Sequence, residues 1–494
     1  MARLSLILLM LLLTGTACGQ VQEVSAIEVL QRAADGEPIH LEGARIVGSM
    51  NLSDAPQGRL EGIVLINCTV ADASLSGLTI EGETILSGTS FGNASFDDAH
   101  FMGTADLSST SFVDASFSGT AFDSPAIFDG ASFQGDVSFE DAAFALDASF
   151  NHALFGGAAI FNYSRFGYYT YFSGAQFLDD ALFSDVRFQG ATDFTQAIFR
   201  GHANFFETSF ASASSFSEGS FAGPAHFGMA SFGGLSSFGN VLFEREANFA
   251  LARFSDAAYF ADARFEDDAL FGLTKFEDVA SFQGASFQAD LNFKGGSIST
   301  LLLERASYGP GCRIVLNDTD FNRIKAPWSS ISRHVVWDPG AYLALVESYH
   351  RMGWPRDEDD CYYQYRRMDQ DGKGLGWSRA IDTLAWLSCG YGVRPSYAVV
   401  WSLLTILAFA LLFWMGDGIR RSARPLQGPA EVDPVPERVT FRNALFFSTM
   451  IFLSQGPIDF LPVGRHRYYV ILEGILGWLL LALFLVTLGR VMIR

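Results

Sequence analysis

The hydrophobic pattern changes rhythm twice along this chain. From Phe91, and strictly from Phe122, phenylalanine recurs in alternating steps of six and five (Phe122, Phe128, Phe133, Phe139, Phe144, Phe150), and the alternation runs unbroken to Phe293. Two residues before most of these stands a small residue, as in Ala131-Ser132-Phe133, Ala175-Gln176-Phe177 and Ala263-Arg264-Phe265. Spacing by two puts the small and the large side chain on one side of a short strand. The same steps would sweep well round a helix of about 3.6 residues per turn, so the pattern predicts a solenoid.

Before the repeat, Arg3, the apolar run Leu4 to Leu13 and the small residues Thr14 to Ala17 have the layout of a secretory signal over residues 1–18. Cleavage, retention as an anchor and lipid attachment at Cys18 stay open, and all three export the repeat region. Ser25 is placed to cap a helix over Ala26 to Ala34 within an N-terminal cap, residues 22–38. Short apolar runs begin at Ile39, and the repeat region is expected over 39–300. A cap, a linker and a helical hairpin are expected over 301–394, with helices from Ala341 to Met352 and from Arg356 to Asp369. An interfacial segment, Trp377 to Leu387, comes next.

Residues 395–494 have the third rhythm. Tyr397 to Met415 and Tyr468 to Leu488 are continuous apolar runs long enough to cross a bilayer, flanked by aromatic residues. Between them Asn443 to Pro462 is apolar but broken by Gln455, Gly456, Pro457 and Asp459. Such a segment is expected to enter and leave the membrane on one side, against protein or a water-filled cavity.

Composition narrows the function. A net charge of -21 argues against recognition of nucleic acid through phosphates. The five cysteines are far apart with no metal-ligand spacing, and Cys68 and Cys312 sit near opposite ends of the array, which argues against a bridge. None of the eight histidines belongs to a nucleophile, metal or acid–base constellation, so no enzyme, metal or cofactor is expected. Two fives and two sixes make a coil of 22 residues, and at that phase Asp136, Asp180, Glu246, Asp268 and Asp290 fall in one column, interrupted by Ala158, His202 and Pro224. The column reads either as a solvated edge or as a cation-attracting stripe.

The Phe array resembles the pentapeptide-repeat proteins, which place Ala two residues before a central Leu or Phe. That resemblance implies an all-β, right-handed quadrilateral β-helix, here with alternate fives replaced by sixes. The strict array would be a rod on the order of 40 Å long. The C-terminal order of span, loop and span resembles the two-transmembrane pore module of potassium channels, with Ala444 to Pro462 aligning without gaps on the general pore pattern. By that resemblance Ala444-Leu445-Phe446-Phe447-Ser448 opens a pore helix, and Ser454, Gln455, Gly456, Pro457, Ile458 and Asp459 stand at the filter. Glu473 and Gly477 lie on the inner helix, where gating is implied. The filter departs from the family. Pro457 and the β-branched Ile458 resist the backbone conformations that a carbonyl ladder requires, which implies a wider cation path with poor potassium selectivity.

An exported rod makes the first span run inward. Arg420, Arg421, Arg424, Arg438, Arg442, Arg465 and Arg467 then lie on the cytoplasmic side, as the positive-inside tendency requires. The expectation is a multi-pass protein of the cell membrane with its repeat domain extracytoplasmic. Its partners would be lipid, cations, three further copies of itself and an unidentified extracytoplasmic ligand, since one module supplies only part of a pore wall. A non-conducting, membrane-anchored scaffold or adhesion protein is the alternative.

Overall fold

The computed structural model describes residues 21–492 apart from 54, 56–57, 375, 422–438 and 457–459. The expected signal, together with Arg424, Arg438, Pro457, Ile458 and Asp459, therefore lies outside the described residues. The chain divides into two compact units, Met1–Ala344 and Leu345–Arg494.

The first unit is a parallel β-solenoid of about 14 turns. Each regular turn supplies four two-residue strands, two to each of two parallel sheets. Ala121-Phe122 pairs with Ala143-Phe144, which pairs with Arg165-Phe166, a register of 22 residues. The earlier coils are one residue shorter, as where His100-Phe101 pairs with Ala121-Phe122. The phenylalanines stack in four continuous columns inside the coil. Successive rings within a column lie 4.5 to 5.3 Å apart, as in Phe232 on Phe254 and Phe271 on Phe293, and neighbouring columns meet edge to face. The rings of these columns are all buried and pack the coil interior. Buried threonines do not break the apolar core where the hydroxyl finds a carbonyl, Thr120 donating to Phe96 O and Thr208 to Phe183 O.

The alternation of fives and sixes has a backbone cause. Each five-residue step turns through one residue in the left-handed region, among them Asp141, Tyr163, Asp185 and Leu251. The six-residue steps bend without any. Glycine takes the left-handed corner in some coils; at Gly119 a Cβ would stand 2.4 Å from Asp98 Oδ1 of the previous coil.

The solenoid runs further in both directions than the phenylalanines suggest. Gln22–Ser25 already pairs with Ala44 to Val47, ahead of helix α1 (Ala26–Ala34), which Ser25 Oγ caps by accepting from Ile27 N–H. At the other end pairing continues through Asp320–Lys325, where the sequence reads as a linker. Aliphatic side chains replace Phe there: Leu303, Ile314, Leu316 and Ile324 are all buried. The short helix α2 (Trp328–Ile331) follows, and helix α3 (Pro339–Met352) contains the division between the two units.

The second unit is helical. Helix α4 (Pro355–Asp371) and helix α5 (Trp377–Cys389) are tied together by Asp382, which accepts from Arg366 and Lys373 at 2.6 Å each, and by Trp386 Nε1 donating to Tyr363 OH. This puts the charged side of α5 inward and leaves Trp377, Ile381 and Leu384 exposed. Helix α6 (Pro395–Met415), the twelve-residue helix α7 (Phe441–Phe452) and helix α8 (His466–Met492) complete the unit. Two of these, α6 and α8, are long and apolar enough to cross a membrane.

Candidate functional site

Thr440 caps α7, its Oγ1 accepting from Asn443 N–H. Three features aim the helix. Its buried face, Ala444, Phe447, Ser448 and Phe452, packs against both long helices, and Phe447 meets Phe413 of α6 edge to face at 5.2 Å. Its first residue, Phe441, lies against Trp414 at the end of α6. Its last residue, Phe452, reaches Gly477, eleven positions and roughly 16 Å along α8. The segment Ile419–Arg421, just after α6, pairs antiparallel with Phe460–Pro462, just before α8. The chain therefore leaves α6, advances along α7 to the level of Gly477, and comes back to the end from which it left.

The far end of α7 is closed by its own backbone. Ser454 N–H donates to Ile451 O, Gln455 N–H donates to Met450 O, and Ser454 takes the left-handed conformation between them. Ser454, Gln455 and Gly456 are all exposed. Ser454 and Gly456 border an open, mostly apolar groove of about 600 Å³, walled by Ile451, Val470, Gly474 and Trp478. Gly477 belongs to a close helix crossing, because a Cβ there would lie 2.3 Å from Phe452 O. Glu473 is fully buried one turn earlier on α8 and hydrogen-bonded to Ser448.

On the solenoid, the acidic column serves the backbone. Asp136 Oδ1 accepts Ala158 N–H at 2.9 Å, Asp180 Oδ1 accepts His202 N–H at 2.9 Å, and Asp268 Oδ1 accepts Asp290 N–H at 3.0 Å. Each bridges one coil to the next at a six-residue bend. Pro224, which has no N–H, sits one coil after His202, where no acceptor is needed. Asp290 ends the column and accepts from both the backbone and the guanidinium of Arg313, which holds its carboxyl below the usual range. No metal-holding cluster of three or more His, Cys, Asp or Glu occurs among the described residues.

Residues 65–111, 107–154, 117–165 and 172–220 match the family model for pentapeptide repeats (9 copies). The solenoid is a pentapeptide-repeat domain. No curated protein and no solved structure matches the chain significantly.

In the pentapeptide-repeat domain, Asp136, Asp180, Asp268 and Asp290 stand in the column that their spacing implies, and their oxygens are engaged by amide hydrogens. Glu246 shares the phase and lies near His226, whose pKa is lowered chiefly by burial and secondarily by His202. In the helical unit, Ser454, Gln455 and Gly456 come together at one helix end, while Glu473 and Gly477 face α7 from α8. Sequence reasoning passed over Ser448 as a partner of Glu473. Its only signal was a lone hydroxyl on the apolar face of the short helix.

Proposed function

We propose that the chain is one subunit of a homotetrameric, cation-conducting pore in the cell membrane, carrying an extracytoplasmic pentapeptide-repeat domain that senses or binds a ligand. In this reading α6 and α8 are the spans, Asn443 to Pro462 is the re-entrant pore loop, and the rod is a right-handed quadrilateral β-helix.

The observation that carries the reading is the course of α7. Twelve residues make about 18 Å of helix, too short to cross, and the chain returns to the end it came from. The C-terminal end of a helix carries about half a negative charge, so α7 sets the cation-favouring end of its dipole beside Ser454, Gln455 and Gly456. The spans support the same reading by their exposure: only 22% and 17% of their apolar windows are buried, the reverse of a core helix in a water-soluble fold. In sequence, Asp459 offers an acidic group to such a path, and Pro457 and Ile458 depart from the residues that a potassium-type carbonyl ladder requires.

Single-channel recording of the full chain in lipid bilayers tests this. Cation currents with little preference for potassium over sodium, reduced in Asp459→Asn, are expected. Absence of conductance from a verified tetramer would leave the module as an anchor. Digestion of the rod by external protease in intact cells is the expected result for orientation, and protection would reverse it.

A further inference from the structure

Glu473 sits where three helices meet, with no part of it exposed. Its Oε1 is hydrogen-bonded to Ser448 Oγ on α7. The same Oγ lies 2.8 Å from the carbonyl oxygen of Ile406 on α6. Oε2 is buried with no partner among the described residues.

The hydrogen count decides between two states. A serine hydroxyl has one hydrogen to donate. Facing a carboxylate and a carbonyl, Ser448 could satisfy only one, and the other oxygen would be held against it without a proton between them. With a proton on Glu473 the chain closes: Glu473 Oε1–H donates to Ser448 Oγ, and Ser448 Oγ–H donates to Ile406 O. The bare Oε2 then belongs to a neutral group, which costs far less to bury than an ion.

Among the described residues, no counter-charge pairs with Glu473 to favour the alternative. Helix α6 has one ionisable residue, Tyr397, in its first turn, and α7 has Arg442, six positions before Ser448. On α8 itself His466, Arg467, Tyr468 and Tyr469 precede Glu473 by four or more positions, and Arg490 lies well beyond it. Glu473 forms no ion pair with any of those whose side chains are described.

We infer that Glu473 is a neutral acid in the folded protein, and that its proton is the link pinning the short helix to both long ones. Glu473 is thus a positioning residue for α7. Loss of the proton leaves two acceptors competing for one hydroxyl and releases the helix. Under the proposed pore reading, and only under it, conductance then depends on pH through this residue.

Infrared difference spectroscopy on the full chain in lipid nanodiscs reads the proton directly. A carboxylic-acid carbonyl stretch is expected at neutral pH and should vanish in Glu473→Gln. Thermal denaturation gives the second readout. Glu473→Gln, whose amide can donate to Ser448, should keep the wild-type Tm and lose the fall in Tm that wild type shows as pH is raised; Glu473→Ala should lower Tm at all pH values. Absence of a Glu473-dependent acid band at neutral pH would overturn the inference, as would a Gln variant that loses as much Tm as Ala. If Ala fails to fold, the spectra of wild type and Gln decide alone. An acid band without any conductance would uphold the pinned acid and count against the pore reading, whereas an acid band with conductance that does not change with pH would uphold both and overturn only the link between Glu473 and conductance.

Discussion

Gly477 and Phe452 meet backbone to backbone, and a Cβ on Gly477 would come within 2.3 Å of the Phe452 carbonyl oxygen. The crowding atom is main chain at the end of a helix, so it cannot swing away as a flexible side chain could. Gly477→Ala should therefore displace the end of α7 and lower stability by about 1–3 kcal/mol, the usual cost of overpacking. Three residues earlier, a Cβ at Gly474 meets nothing within 4 Å. Gly474→Ala should be neutral or raise stability by up to about 1 kcal/mol through helix propensity. Thermal unfolding of both variants in detergent checks the contrast, and equal losses would contradict it.

The Phe columns carry the rod. Phe183 is fully buried, stacked on Phe161 at 4.7 Å and on Phe205 at 4.9 Å, and meets Phe172 and Phe194 edge to face. Phe183→Ala should cost about 3–5 kcal/mol in denaturant unfolding, and Phe183→Leu clearly less. A loss below about 1 kcal/mol for Ala would mean that the column collapses around the gap.

Leu251 is half exposed yet held at φ +63°, where its Cβ crowds the backbone. Asparagine tolerates that region better, so Leu251→Asn should stabilise the solenoid by on the order of 1 kcal/mol. Leu251→Val should destabilise it, since β-branching worsens the clash. The two shifts in denaturation midpoint should have opposite signs.

Two linked groups set the pH response at the end of the rod. Hydrogen bonding to Arg313 lowers the Asp290 pKa from 3.8. Its contribution is present above that value and is lost as pH falls through the lower folded pKa; Asp290→Asn should flatten this part of the acid limb. Burial, with Asp290 as a smaller cause, pushes the Cys312 thiol from 9.0 up to about 11. Stability from the buried neutral thiol is full below about 9 and lost as pH rises toward 11. Native Cys312 should stay unmodified by maleimide at about pH 8 and react after denaturation, as should the other buried thiols, Cys68, Cys361 and Cys389.

Some of this was legible in the chain and some was not. The steps from Phe122 to Phe293 announced the solenoid because a column is a property of spacing alone. Its true end was hidden, because Leu303, Ile314 and Leu316 fill the same interior without the aromatic signature. The common phase of Asp136, Asp180 and Asp268 was readable, but their role was not, since the amide each one holds belongs to the next coil. Pro224 one coil beyond His202 was the clue. Glu473 was legible only as a position on the inner helix that the channel resemblance implies. Its bond to Ser448 joins residues 25 apart on different helices and has no periodic trace.

The two kinds of corner also ration how this rod can change length. Each coil touches only the coils beside it, so an insertion of 22 residues adds one storey and leaves everything above unaltered. Half that number, one five and one six, would also stack without a gap, but would exchange the two sheets and turn every later side chain to the opposite wall. Drift of a single residue at a regular bend would bring Phe out and Asp in. The length of the domain is therefore counted in whole coils, like the pitch of a screw thread.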